Sequence, residues 1–332
     1  MPPLDPLLVP FWLSPTMHGE SVLFIARDDG PAESRLLFPP DAVAAVTSPQ
    51  GVYTEGIDYM VDRQAGRIVR VPGSRMPEVT PQAIAAADGA LTHFRTVAVT
   101  YTHSADLKPW RPRRSAGAIP RVMQRLQRRE PVTISLTGDS ISEGYDASGF
   151  HRLPPLQPAF GSLVAKGLEQ QHGSAVHLRN VATAGWTAAN ALWDTGSITA
   201  GEPDLVIVAF GMNDASYAEA AEFAANIANL LGRVRDEAPA AEFMLVSPML
   251  PTPECSWLVP SRFEPYRAAL AAMTGDGVVL ADVTSLWTRM IARKDPRDLS
   301  GNGLNHPNDF GHRVYAHAIL DQLGCERPAP LS

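Results

Sequence analysis

Between residues 132 and 323 the chain alternates short, apolar, β-branched runs with longer helical stretches, and no other feature restricts the fold as much. Runs at 132–136, 176–181, 204–210, 243–247 and 278–283 read as strands. Helical spacing is expected over 158–172, 187–193, 217–237, 262–273 and 309–323, with Gly324 closing the last. In the third of these, 217–237, Phe223, Ile227, Leu230, Leu231 and Val234 fall on one helical face. Repeated strand–helix units with almost wholly apolar strands predict a parallel sheet covered on both faces, joined by right-handed crossovers.

The first of these strands runs into Gly138-Asp139-Ser140, in VTISLTGDSISEG. A turn there would hold the Ser140 hydroxyl at the carboxyl edge of the sheet, where open α/β folds bind ligands. A serine hydroxyl is a weak nucleophile at neutral pH and needs a base and oxyanion donors. His306, in the loop sequence NHPNDFGH before the last helix, is the candidate base, whereas His312 and His317 lie within that helix and read as structural. Gly185, in NVATAGWT, and Asn213, in GMND directly after the third strand, are candidate donors, as is the Ser140 main-chain N–H. Asp139 is expected to hold the serine turn, and Asp214 to fix its loop or cap the helix that follows. Asp146, Trp186, Met249 and Trp257 lie on loops expected at the same edge and are candidate substrate-binding residues.

Together these four blocks resemble the SGNH (GDSL-type) hydrolase superfamily over about residues 119–324, with Ser140, Gly185, Asn213 and His306 on its four key positions. The resemblance implies a flavodoxin-like, five-stranded parallel α/β/α domain. It also implies a serine esterase in which Ser140 and His306 are catalytic and Ser140, Gly185 and Asn213 form the oxyanion hole. One departure stands out: many members carry an aspartate three positions before the histidine, and here that position is Gly303. The imidazole must then be oriented by Asp298, by the amide oxygen of Asn302 or by a main-chain carbonyl.

Residues 11–104 lack helical periodicity over most of their length. Runs at 21–26, 35–40, 42–48, 58–62, 67–73 and 96–103, separated by turn residues, predict a small antiparallel β-sandwich or jelly-roll-like unit. Residues 80–89 are expected to form a short helix or a loop. The expected division is a β-rich accessory domain, 1–115, followed by the hydrolase domain, 116–332. Lys108, Arg111, Arg113 and Arg114 sit among prolines in a connector and read as a solvated face, because the whole chain carries a net charge of −7. That balance argues against nucleic acid as a partner. No apolar run is long enough to span a bilayer, and the proline-broken N-terminus lacks a basic leader region. The expected location is therefore cytoplasmic, or secreted if a leader precedes this sequence. With two cysteines, Cys255 and Cys325, free buried thiols are expected rather than a disulfide scaffold. No Cys/His spacing fits a zinc site and no P-loop or G-x-G-x-x-G follows a strand, so neither metal nor cofactor is expected.

The expected activity is hydrolysis of O-acyl esters through an acyl-enzyme, on a small-molecule or oligosaccharide substrate. The two-part layout resembles carbohydrate-active SGNH esterases and favours O-acetyl groups on carbohydrate. A short-chain, lipase-like or aryl esterase is the alternative. A third reading, an inactive glycan-binding protein, rests on the missing aspartate.

Overall fold

The computed structural model describes residues 5–28, 30–85 and 95–324. Five parallel strands, β8 (Val132–Gly138), β9 (Val176–Asn180), β10 (Leu205–Ala209), β11 (Glu242–Val246) and β12 (Val278–Ala281), pair in the order β12-β11-β10-β8-β9. This is the flavodoxin-like order, in which the chain reverses direction across the sheet between β8 and β10. Every residue of β10, β11 and β12 is buried, as strands covered on both faces require. The edge strand β9 is only partly covered.

The helices Phe160–His172 and Asp309–Gln322 pack together closely. A β-carbon on Gly167 would sit 2.8 Å from Leu320 Cδ1. The expected apolar face of the Ala220–Glu237 helix is buried, and Phe223 stacks on Tyr266 with centroids 4.1 Å apart. The helix Val283–Ile291 was not expected. Its first residues are β-branched and continue the look of a strand. Asp282 nevertheless caps it, accepting the Ser285 N–H at 2.9 Å, and Val283, Leu286, Trp287 and Met290 bury one face.

The N-terminal region forms two antiparallel sheets. One pairs β1 (Thr16–Val22), β7 (Val97–Thr102), β3 (Ala42–Ser48) and β4 (Gly51–Val52) in that order. The other pairs β2 (Glu33–Arg35), β6 (Arg67–Arg70) and β5 (Tyr59–Asp62). The apolar run at 21–26 contributes only Ser21 and Val22 to β1, which begins at Thr16. Leu36, Leu37 and Phe38, read as part of a strand, are instead buried core residues beyond β2. The described part of segment 80–89 begins with a helix at Pro81–Ala85; the rest lies outside the described residues. Cys255 is buried and free, and Cys325 lies outside the described residues.

One hydrophobic core runs through both regions, from Trp12, Val99 and Trp110 to Trp287 and Ile319. A buried polar joint accompanies it. Lys294 Nζ lies 2.6 Å from Glu20 Oε1 and 2.6 Å from the Ser21 carbonyl, and the Tyr101 hydroxyl donates to Glu20 Oε2 at 2.6 Å. The Leu23 N–H and the Ser34 hydroxyl donate to the two oxygens of Asp298, at 2.6 and 3.0 Å. Removing one member of a buried ion pair strands the other charge. Lys294→Met is therefore expected to cost about 3–5 kcal/mol, measured by urea unfolding. A loss below 1 kcal/mol would contradict this account of the joint.

Candidate active site

Gly138 ends β8 because nothing larger fits. A β-carbon there would come within 2.2 Å of Ser142 Oγ and 2.6 Å of the Ala209 carbonyl oxygen. The chain then enters a one-turn helix, Ser140–Glu143, capped by Asp139, whose Oδ1 accepts the Ile141 N–H at 2.9 Å. Burial pushes the Asp139 carboxyl up to about 7, against the pull of that hydrogen bond and of the nearby His306. The turn delivers Ser140 to the end of β8, beside the switch point of the sheet.

His306 reaches it from the far end of the chain. Ser140 Oγ and His306 Nε2 are 2.9 Å apart, and the imidazole lies beside Tyr145, ring centroids 5.4 Å apart. The His306 loop is shaped by Asn302. Its Oδ1 accepts the N–H groups of Leu304, Asn305 and His306 at 2.9, 3.0 and 3.1 Å.

The group behind the imidazole is Asp146. Its Oδ2 lies 2.8 Å from His306 Nδ1. None of the orienting groups expected from the sequence holds this place. The Asp298 carboxylate is spent on Leu23, Ser34 and Lys294 in the joint between the two regions. The Asn302 amide oxygen is spent on its own loop, and the atom it turns toward His306 Nδ1, at 3.1 Å, is the donor Nδ2. Asp146 was expected to touch substrate and instead stands behind the histidine, 4% exposed. Burial works to raise its carboxyl, but hydrogen bonds and charge from His306 and His151 together hold it below the usual value. It is therefore an anion at neutral pH.

Asp146 reaches the site across space, from six residues after Ser140. Its backbone is left-handed, φ +63°, in the loop that follows the serine turn. Gly301 makes room for it, since a β-carbon there would lie 2.4 Å from Asp146 Cβ. The glycine at 301 is thus a local trace of the arrangement, although no spacing rule names its partner. His312, inside the last helix, supports the same loop through Nε2 and the Tyr145 carbonyl, 3.0 Å apart.

The donor candidates gather on the loop after β9 and the turn after β10. Thr183 N–H bonds the Gly138 carbonyl at 3.1 Å and Ala184 N–H bonds Glu143 Oε2 at 2.8 Å, which sets Gly185 alongside the serine turn. Gly185 has φ +81°, and no atom lies within 4 Å of where a β-carbon would sit. Asn213 Nδ2 donates one hydrogen to the Trp186 carbonyl at 2.9 Å, and an amide carries a second. Asp214 ties these loops together by accepting the N–H groups of Ala188 and Gly211, at 3.0 and 3.1 Å. Burial raises its carboxyl to about 6.

The remaining substrate-binding candidates separate. Trp186 is half-buried against the core, and Trp257 is 53% exposed. Met249 is 1% exposed in the core, with its N–H bonded to the Tyr315 hydroxyl at 2.8 Å, so its side chain is not open to a ligand.

A buried carboxylate, an imidazole and a hydroxyl in line, at the edge of a flavodoxin-like sheet, define the architecture of SGNH hydrolases. The GDSL-like lipase/acylhydrolase family model matches residues 136–314, more than half of the sequence, and the chain belongs to that family.

Among solved structures, the fold is similar to a two-domain esterase active on acetylated mannans, crystallised with mannopentaose. That match has a TM-score of 0.51 and 21% identity, and covers 66% of this chain and 58% of the other. Also similar are a carbohydrate esterase family 3 protein from Talaromyces cellulolyticus (TM-score 0.43, 19% identity, 58% of this chain and 96% of the other) and the lipase Lip_vut3 from a goat rumen metagenome (TM-score 0.47, 13% identity, 59% and 99%). No curated protein matches the chain. Among the described residues no helix is long and apolar enough to cross a membrane.

Proposed function

We propose that this esterase hydrolyses O-acetyl esters on carbohydrate through an acyl-enzyme on Ser140. The observation that carries the mechanism is the unbroken chain from Ser140 Oγ to His306 Nε2, 2.9 Å, and from His306 Nδ1 to Asp146 Oδ2, 2.8 Å. His306 takes the proton as Ser140 Oγ attacks the acyl carbon. The oxyanion receives N–H groups from Ser140, Gly185 and the Asn213 amide. His306 then protonates the departing sugar oxygen, and the acyl–oxygen bond breaks. Water, deprotonated by the same imidazole, attacks the acyl-enzyme and releases acetate and free Ser140. Asp146 stays ionised throughout and stabilises the imidazolium.

Support for carbohydrate comes from the β-rich region packed against the hydrolase region, which we read as an accessory domain, 1–115, ahead of a catalytic domain, 116–332. A two-domain esterase of related fold acts on acetylated mannans. The exposed aromatic ring of Trp257 suits a sugar face. The reading of an inactive binding protein loses its motive, because a carboxylate does stand behind the histidine. The test is acetate release from acetylated oligosaccharides, set beside cleavage of aryl acetate and aryl octanoate. Acetate released from the sugars, with the aryl acetate cleaved at least about tenfold faster than the octanoate, is the expected result of an acetyl-specific site. Preference for octanoate with no acetate from the sugars would replace this reading by a lipase-like esterase.

A further inference from the structure

The Asp146 carboxylate serves two histidines. While Oδ2 faces His306 Nδ1, Oδ1 lies 2.8 Å from His151 Nε2. A carboxylate held at one oxygen can still swing about its Cβ–Cγ bond; held at both, its plane is set. The loop that brings His151 here is itself tied down. His151 and Phe150 donate their N–H groups to the Ala147 carbonyl, Gly149 N–H bonds the Gln157 carbonyl at 2.8 Å, and Ser148 N–H bonds Asp309 Oδ1 at 2.7 Å. Phe150 packs edge-on to the His151 ring and lies tilted, centroids 4.5 Å apart, against Tyr145, which in turn borders His306. The His151 side chain is 30% exposed, twice the 15% of His306, so of the two imidazoles it is the one nearer solvent.

We propose that His151 is a positioning residue that acts through Asp146, fixing the carboxylate plane against His306 and sharing its charge. This inference rests on the triad reading given above. With its plane fixed, the carboxylate keeps His306 Nδ1–H and the Nε2 lone pair aimed as the serine needs, so loss of His151 lowers kcat and leaves KM nearly unchanged. The other titratable groups bearing on the cluster are Asp139 after β8, and Asp309 and His312 on the last helix. They remain in place in every variant.

The experiment compares wild type, His151→Leu and His151→Gln on an aryl acetate across pH, with the melting temperature of each and Ser140→Ala as reference. For His151→Leu the plateau kcat is expected to fall about 10- to 100-fold, the ratio that goes with losing one hydrogen bond to a charged group. KM should stay within about twofold. Gln keeps an N–H at similar reach and should restore the plateau to within about threefold, since a neutral donor replaces a neutral donor. The proposal is overturned if His151→Leu keeps the wild-type plateau, if its loss falls on KM rather than kcat, or if a stably folded His151→Gln is no better than Leu. Activity surviving in Ser140→Ala would instead overturn the triad itself.

Discussion

Ser140→Ala is expected to lose on the order of 10⁵–10⁶ in kcat on any ester the wild type cleaves, the scale seen when a serine hydrolase loses its nucleophile. The loss should fall on kcat rather than KM, because the donors and the loops that bind substrate do not depend on the hydroxyl. Stability should hold. The Ser140 side chain sits at the start of a one-turn helix whose cap is Asp139 and whose tight packing is set by Gly138. A folded Ser140→Ala protein within tenfold of wild-type kcat would mean that the ester is cleaved elsewhere.

The second large effect is at Asp146. Asp146→Asn should lower kcat by about 10³–10⁴, comparable to the same change in other serine hydrolases. The geometry says why. His306 can act as a base at Nε2 only if its proton is on Nδ1, and Nδ1–H needs an acceptor. With Asn at 146, the oxygen is drawn to the donor on His151 and the NH₂ turns to Nδ1. The Asn302 Nδ2 already presents a donor there, at 3.1 Å. The imidazole then carries its proton on Nε2, donates a hydrogen bond to Ser140 Oγ and has no lone pair there to accept the serine proton.

Asp298→Ala is the contrasting variant. It should destabilise by a few kcal/mol, about 2–4, because the Leu23 N–H and Ser34 hydroxyl lose a buried partner, while the kcat of the folded fraction stays near wild type. If Asp298→Ala abolished kcat and Asp146→Asn did not, the orienting role would return to Asp298.

Much of this site was legible before any coordinates. Ser140 and His306 stand in short motifs whose spacing to a strand end or a helix start is local, and local patterns are what a sequence displays. The parallel sheet was legible for the same reason, since burial on both faces writes itself as unbroken apolar runs in β10, β11 and β12. Asp146 was not, because its role comes from a through-space meeting of two loops 160 residues apart. Its left-handed backbone and the gap at Gly301 are visible only in three dimensions. Asp298 misled because nearness in sequence to His306 says nothing about direction, and its carboxylate points to the N-terminal region. Met249 looked like a loop residue after β11, but the loop turns inward against Tyr315. The helix after Asp282 hid behind the β-branched start Val283-Thr284, where the cap and the later Leu286, Trp287 and Met290 outweigh propensity. In the N-terminal region, apolar runs marked burial correctly and strand membership less well. Leu36 to Phe38 fill the core shared with the hydrolase region without pairing in a sheet.

The central claim, that one hydroxyl activated by His306 attacks the ester, is tested most directly by trapping it. An aryl or alkyl fluorophosphonate incubated with the protein, followed by intact mass measurement and peptide mapping, should give a single adduct on Ser140. The adduct should be absent in Ser140→Ala and formed far more slowly in Asp146→Asn. Esterase activity that persists with no adduct on Ser140, or an adduct formed equally fast without Asp146, would contradict it.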